Sequence, residues 1–435
     1  MVSRRSFLQG TATTAAVSII PARSAQAATT TADVPAPIAA LPSFAGRVKP
    51  FTNDERLARI EKAKKLMSAN KIDAIVLANS TSNSVYFANI RLGGGERLWA
   101  LVMPTKSKPF IVCPAFENRR AHEMLSTGPF AGDADVITWQ EDESPFLALV
   151  KGLNDRGVIS GSVGLDENMK WVFANSLMKA VPHLKFVSAN PVTAGCRMIK
   201  EEHEVECIRV AGAATLAVYA AVYRSLKEGM TSAEVRGLVA QGYAKVGLAG
   251  EASMNIDAYT ASPHGSRMPQ TIREGSILML DDGCRVEGYT SDITRTFVLG
   301  KPTGKMNQVF DIVHLAQQAG VKAAKPGMLL GEVDHAARKV IVDAGYGPGF
   351  KYFTHRLGHG VGLDMHEWPY LVDNDMFGDD LHPVLKSNIV MSDEPGIYIP
   401  GEFGIRLEDE LHVTEDGAEL LTPPSPSLED PFGNI

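Results

Sequence analysis

The sequence predicts a two-domain protein, an α/β domain followed by an α+β domain, on three observations. Strand-like and helix-like pieces alternate over 51–195. Two long helical faces open a second region, 196–425, near Lys200. Within that region two strand pairs each carry acids, and further strands outnumber the helices between them. A chain of 435 residues has room for two ordinary cores.

The chain begins with SRRSFLQG (3–10), a twin-arginine pattern, then a short apolar run, TATTAAVSII, and an A-x-A site at Ala25-Gln26-Ala27. In that order these features predict an export signal over 1–27, read by twin-arginine export machinery, and a periplasmic or secreted mature protein. The apolar run is too short to span a bilayer, and no membrane span is expected in the mature form. Residues 28–50, rich in Ala, Thr and Pro, read as a linker. Thr52 and Glu55 then form a T-x-x-E capping box for a helix to about Asn70. DAIVLAN, LWALVMP, PFIVCPA, VITW and SVGLD read as strands, with helices near 117–126 and 145–155 between them. Gly93-Gly94-Gly95 lacks the GK[ST] of a phosphate-binding loop and reads as a turn.

In the second region, Val205, Ile208, Tyr219, Val222, Tyr223 and Leu226 give a helical face over 201–227, ended by Gly229. Thr231 and Glu234 cap a second helix that stops about Gly247. ILMLDDGC, DITRTFVL, NIVMSDE and IRLEDELHV read as strands, with helices near 305–324 and 331–344. The two acid-bearing strand pairs hint at an old duplication, and 426–435 reads as a tail.

The formal charge is −7, and loss of 1–27 removes Arg4, Arg5 and Arg23 to leave 40 basic against 50 acidic residues, −10. Such a balance gives no support for nucleic-acid or anionic-membrane binding. The four cysteines, 113, 196, 207 and 284, show no CxxC spacing and read as buried thiols.

The chemistry concentrates in acids and histidines. In THRLGHGVGLDMHE (354–367), His355 and His359 lie four apart, but Arg356 stands where a zinc-protease helix needs Glu, and Gly358, Gly360 and Gly362 argue against a helix. The stretch reads as an irregular segment whose backbone passes close to something. LMLDDGC and SDITRTF, joined by RVEGYT, can set Asp281 and Asp292 side by side on neighbouring strands, and strand alternation sends Asp282 to the opposite face. Glu394 (SDEPG) and Glu408 (RLEDE) repeat the arrangement, with Glu410 left open because it shares a face with Glu408. Buried carboxylates that close require a cation. An oxygen-rich set with an imidazole suits two divalent ions of the Mn, Co, Fe or Zn kind.

LDDGCRVEGYTSDITRTF, HRLGHGVGLDMHEWP, SDEPGIYIPGEFG and IRLEDELHVTEDG resemble the catalytic domain of the Xaa-Pro peptidase, prolidase and creatinase superfamily, metallopeptidase family M24 with its pita-bread fold. The resemblance runs from Met198 to about Thr422, and 51–190, with NSVYFANI, is more weakly similar to the family's creatinase-like N-terminal domain. It implies metal ligands at Asp281, Asp292, His359, Glu394 and Glu408, holding two divalent ions, manganese first, with a water or hydroxide between them. It implies that the flanking glycines let the His359 backbone approach the metals. His264, in SPHG, and His366 match substrate-facing histidines that stabilise the oxyanion or orient the substrate, and His355 matches a third site histidine, behind the ligands or at the mouth of the pocket. Glu394 becomes the base and then the acid, and Thr294 and Arg406 hold carboxylates in place.

The implied activity is hydrolysis between an N-terminal residue and proline. The intact ligand set argues against the metal-free creatinase branch, and Gly283 against sulfoniopropionate lyases, which carry an acid there. HEWPY places Tyr370 where prolidases of this family commonly show an arginine that grips a dipeptide's carboxylate. Tyr370 therefore points towards an aminopeptidase acting on longer peptides, or an amidase or C–N/C–S cleaving enzyme for another small molecule, with a prolidase as the alternative. A metal-free binding module or an exported solute-binding protein has no use for this set of acids and histidines. A homodimer is expected from the relatives.

Overall fold

The computed structural model describes residues 34–79, 81–373 and 384–435. The twin-arginine pattern and the A-x-A site lie outside the described residues.

The capping box forms as expected. The helix Asn53–Ala69 starts at Thr52, whose hydroxyl accepts from the Glu55 N–H while the Glu55 carboxylate accepts from the Thr52 N–H. Glu55 also takes the ring of His203, 2.7 Å away. Burial works against its charge, but the Thr52 N–H and then His203 bring its pKa from 4.5 down to about 2. A depressed carboxylate pKa stabilises the fold above the ordinary value, and the contribution is lost as pH falls through the folded one. Glu55→Gln is therefore expected to flatten the fall of the urea midpoint between pH 5 and 3, by about 1 kcal/mol after solvent screening. An unchanged slope would mean that other carboxylates govern acid unfolding.

Six strands follow: β1 (Ala74–Ala78), β2 (Ala100–Pro104), β3 (Phe110–Pro114), β4 (Asp135–Trp139), β5 (Ser162–Leu165) and β6 (Lys185–Ser188). They form one sheet in the order β4-β3-β2-β1-β5-β6. The short link from β2 to β3 gives an antiparallel pair. The helices Asn118–Thr127 and Trp171–Ala180 carry the crossovers of the parallel pairs β3–β4 and β5–β6. Central strands buried on both faces read as continuous apolar runs, which is why they were legible.

Beyond Lys200 a two-part order repeats: a helix pair, then strands. The first part has the helices Glu202–Tyr223 and Ser232–Val246, the edge pieces β7 (Ala249–Gly250), β10 (Cys284–Val286) and β11 (Tyr289–Thr290), and the sheet of β8 (Ser253–Ile256), β9 (Ile277–Asp281) and β12 (Arg295–Val298). The second has the helices Gly304–Ala323 and Leu330–Asp343 over β13 (His359–Gly360), β14 (Glu367–Tyr370), β15 (Val390–Asp393), β18 (Asp409–Val413) and β19 (Ala418–Leu420), with the hairpin of β16 (Gly396–Ile399) and β17 (Phe403–Arg406) beside them. Glu202–Tyr223 is long and apolar enough to cross a membrane, yet it is largely buried in the core. All four cysteines are free and buried.

Three expectations need correction. The segment read as a linker is packed in its described part: it forms a short helix, Ala36–Ala39, the side chains of Ile38, Leu41, Phe44 and Val48 are buried, and the Phe44 N–H donates to the Val246 carbonyl. The tail is also docked, with Leu428 and Phe432 buried. IRLEDELHV is two strands, β17 and β18, because Glu408 turns out of the ladder between them.

Candidate metal centre

The ligand candidates come from strand ends rather than strand interiors. Asp281 is the last residue of β9, and Asp292 precedes β12 in the loop from β11. Leu280 pairs with Arg295, so Thr294 falls opposite Asp281. Asp393 of β15 pairs with Asp409 of β18, which places Glu394 and Glu408 opposite each other one step beyond the ladder. The Glu408 N–H donates to the Thr294 carbonyl and joins the two parts of the domain. A ladder ending there frees the carboxylates to face a common space without unpairing strand amides.

All five expected donors converge there. Asp281, Asp292 and Glu408 each bring an oxygen within 4.8 Å of the others, and so do His359, Glu394 and Glu408 with one atom apiece. Glu408 belongs to both of these groups, and a third joins Asp292, His359 and His366, so the set would offer donors for more than one ion. These five, with His264, His355, His366 and Arg406, line one cavity of about 920 Å³.

The electrostatics call for cations. Burial, then Asp281 and Glu394, push the Asp292 carboxyl well above its usual range, and burial with Asp292 does the same to Glu408. Burial would raise Glu394 too, but His359, His355 and Arg406 bring it down to about 2. Repelling carboxylates beside an imidazole fit divalent metal, and oxygen-rich donors fit the harder ions. The His359 Nδ1–H points to the Gly360 carbonyl at 3.1 Å, which leaves Nε2 for the cavity, 3.3 Å from Glu394 and 3.7 Å from Asp292.

Thr294 and Arg406 stand behind the carboxylates. The Thr294 hydroxyl lies 2.8 Å from Asp281 Oδ1 and 2.6 Å from Glu408 Oε2, and it accepts from Arg406 Nε at 3.0 Å. Arg406 also donates to Asp281 Oδ2, the Pro263 carbonyl and the Tyr398 hydroxyl. Tyr398 lies 2.7 Å from His355 Nε2, while His355 Nδ1 meets the Arg356 carbonyl at 2.7 Å. With Nδ1 protonated, Tyr398 donates to His355, and burial lowers that imidazole's pKa. Tyr398 lies inside SDEPGIYIPGEFG, but nothing in that motif alone announces its contact with His355.

Glu410, left open beside Glu408, faces away: its Oε1 accepts from the Asp292 N–H at 2.8 Å, behind the cavity. Asp282 departs from expectation. It lies just past the end of β9 at φ 107, so strand alternation no longer governs it, and it lines the cavity while accepting from the Ser253 N–H. Burial and Asp281 lift its pKa to about 6.

His366 stacks on His359 at 3.7 Å between ring centres, and burial and that neighbour depress its pKa to about 4. His264 is exposed at the cavity wall. Tyr370 is absent from the described wall. Its ring lies instead against the guanidinium of Arg356, 4.4 Å from ring centre to Cζ, and it is Arg356 that lines the cavity.

The glycines of the His359 segment also differ from expectation, in purpose. A Cβ at Gly358 would meet the Ser392 carbonyl oxygen at 1.9 Å, and one at Gly360 the Trp368 carbonyl oxygen at 2.3 Å. The close approach is to neighbouring strands, and the segment read as irregular contains β13, wedged between β14 and β15.

Comparison with known proteins agrees with this architecture. Residues 206–415 match metallopeptidase family M24, and 59–199 match the creatinase/prolidase N-terminal domain. The Xaa-Pro dipeptidase of Lactobacillus delbrueckii subsp. lactis is 30% identical over 383 residues, 85% of this chain and 98% of its own. Among solved structures, dipeptidase PepE from Mycobacterium ulcerans superposes with a TM-score of 0.78 at 31% identity, covering 88% of this chain and 99% of that one. The X-Pro aminopeptidase from Thermotoga maritima gives 0.70 at 26% identity, covering 85% and 99%.

Proposed function

Because the chain belongs to metallopeptidase family M24 and is a metal-dependent hydrolase, we propose that it cleaves the bond between an N-terminal residue and proline, with dipeptides as its main substrates. The observation that carries the reading is the convergence of Asp281, Asp292, His359, Glu394 and Glu408 in one cavity with His264 and His366. Two divalent ions held by those five residues, with manganese expected first, would supply Lewis acidity and acidify water.

The chain's own groups then do the rest. Glu394, held ionised, accepts a proton and returns it to the leaving proline nitrogen. His264 and His366 face the position of the developing oxyanion and donate to it. Thr294 and Arg406 keep Asp281 and Glu408 from turning away.

Dipeptides are favoured by Arg356. Arg356 lines the cavity, its Cζ 4.4 Å from the ring centre of Tyr370, and a guanidinium on that wall suits a terminal carboxylate. The relatives named as dipeptidases support the same choice. Tyr370, in the position of the arginine common in prolidases, remains the ground for the alternative, an aminopeptidase acting on longer peptides. The ordered sequence features at 3–27 support export through the twin-arginine route.

The test is hydrolysis of Ala-Pro and Ala-Pro-Phe-Lys by the manganese-loaded protein and by protein treated with chelator. Ala-Pro is expected to be the better substrate, with activity lost on chelation, and Arg356→Gln to raise its KM about tenfold with little change in kcat. Preference for the tetrapeptide would overturn the dipeptide reading and favour an aminopeptidase. Cleavage of neither, with two metals bound per chain, would move the search to non-peptide amides.

A further inference from the structure

We infer that Arg197 is a positioning residue for His366, so that the N-terminal domain completes the catalytic site through the segment 364–368. The inference rests on the reading of His366 as a group that faces substrate.

Arg197 ends the helix Asn190–Arg197, outside every motif that suggested the chemistry. It is 6% exposed, and its guanidinium has three partners. One donor goes to Asn83 Oδ1 at 3.0 Å, and Nη2 goes to Asp364 Oδ2 at 2.7 Å and to Glu367 Oε2. Lys200, 2% exposed, ties the other Glu367 oxygen at 2.9 Å and the Arg197 carbonyl at 2.9 Å. Glu367 Oε2 also accepts from the Asp364 N–H and closes the 364–367 turn on itself. His366 sits inside that turn.

The N-terminal domain grips the turn at two further points. Ser82 donates to Asp364 Oδ1 at 2.5 Å, and Trp368 Nε1–H donates to Glu167 Oε2 at 3.2 Å. Asn83 is itself fixed by Asp166, which also takes the Thr81 hydroxyl. Residues two before, one after and two after His366 are therefore held by side chains from across the domain boundary or just past it. His366 stacks on His359 at 3.7 Å between ring centres, and its position along that face calls for a lateral restraint from the chain around it. The clamp on its neighbours supplies that restraint. Charged groups buried this thoroughly are expensive to assemble, and simple cohesion between domains is better served by apolar contact. A planar, two-carboxylate grip gives geometric definition instead.

The experiment is a double-mutant cycle on the full chain loaded with manganese, with kcat and KM for Ala-Pro, metal content and Tm measured for each protein. Arg197→Lys keeps the charge and loses the fork. It is expected to lower kcat about 10- to 100-fold with KM within about twofold and metal content unchanged. In a His366→Ala background the same change is expected to cost less than about twofold, because the group being positioned is gone. Asp364→Asn, at a half-exposed site that tolerates the change, is expected to give a smaller loss, about 3- to 10-fold, that vanishes in the same background. Losses that multiply in the double variants would overturn the inference, since Arg197 would then act elsewhere. Unchanged kcat in Arg197→Lys, with His366→Ala impaired, would overturn it and leave the reading of His366 standing. Unchanged kcat in His366→Ala would remove that reading, and the inference with it.

Discussion

Asp292→Asn is expected to lower turnover at least about 1,000-fold while the protein stays folded. Asparagine keeps the shape, and the backbone N–H of residue 292 still donates to Glu410. What is lost is a negative oxygen at the meeting point of Asp281, His359 and Glu408. Metal content is the accompanying measurement, expected to fall from two ions per chain to one or fewer. A second readout separates ligand loss from misfolding. Burial and like-charged neighbours make the Asp292 carboxylate unfavourable without metal, so a neutral amide relieves repulsion. The metal-free variant is therefore expected to melt no lower than the metal-free parent, and its Tm to rise less on adding manganese. Retained metal-dependent turnover would overturn the assignment of Asp292.

Gly358→Ala has the next largest expected effect, and it acts on geometry. The added Cβ meets the carbonyl oxygen of Ser392 at 1.9 Å, backbone against backbone, so no side chain can swing aside. β13 must move off β15. The His359 N–H donates to Ser392 Oγ, which in turn donates to Glu394 Oε1, so two metal-ligand candidates move with the strand. A cost of about 3 kcal/mol or more is expected, with loss of activity and metal affinity. Gly94→Ala is the control, because a Cβ there meets nothing within 4 Å. Melting curves of the two variants decide the matter. Equal Tm values would mean that β13 gives way without strain.

Much of this site was legible because its donors sit in short motifs whose spacing survives without any knowledge of the fold. The buried strands of the N-terminal sheet were legible for the same local reason, a continuous apolar run. Other elements escaped. The helix Trp171–Ala180 exposes Trp171 and Val172, which blurs its apolar face, although Phe173, Ala174 and Leu177 keep helical spacing. The helix Ser82–Ala88 hides in a serine- and asparagine-rich stretch and is buried almost throughout. Alanine and proline around 36–48 suggested a linker, and the spacing of Ile38, Leu41, Phe44 and Val48 was the signal overlooked. Arg197 lies outside every motif and acquires its place through residues distant in the chain, while Arg356 and Tyr398 stand inside HRLGHGVGLDMHEWP and SDEPGIYIPGEFG, whose spacing does not reveal their partners.

The docking of residues 36–48 bears on how the chain is made. Their partners lie in the helices Glu202–Tyr223 and Ser232–Val246, about 200 residues later in synthesis. At about 5–20 residues per second, the ribosome takes roughly 10–40 s to deliver them. Throughout that interval the earliest apolar side chains of the described fold have no place to go. The catalytic domain, made second, thus supplies the shelter for the segment made first, and a chain halted before residue 246 carries a sticky leading end.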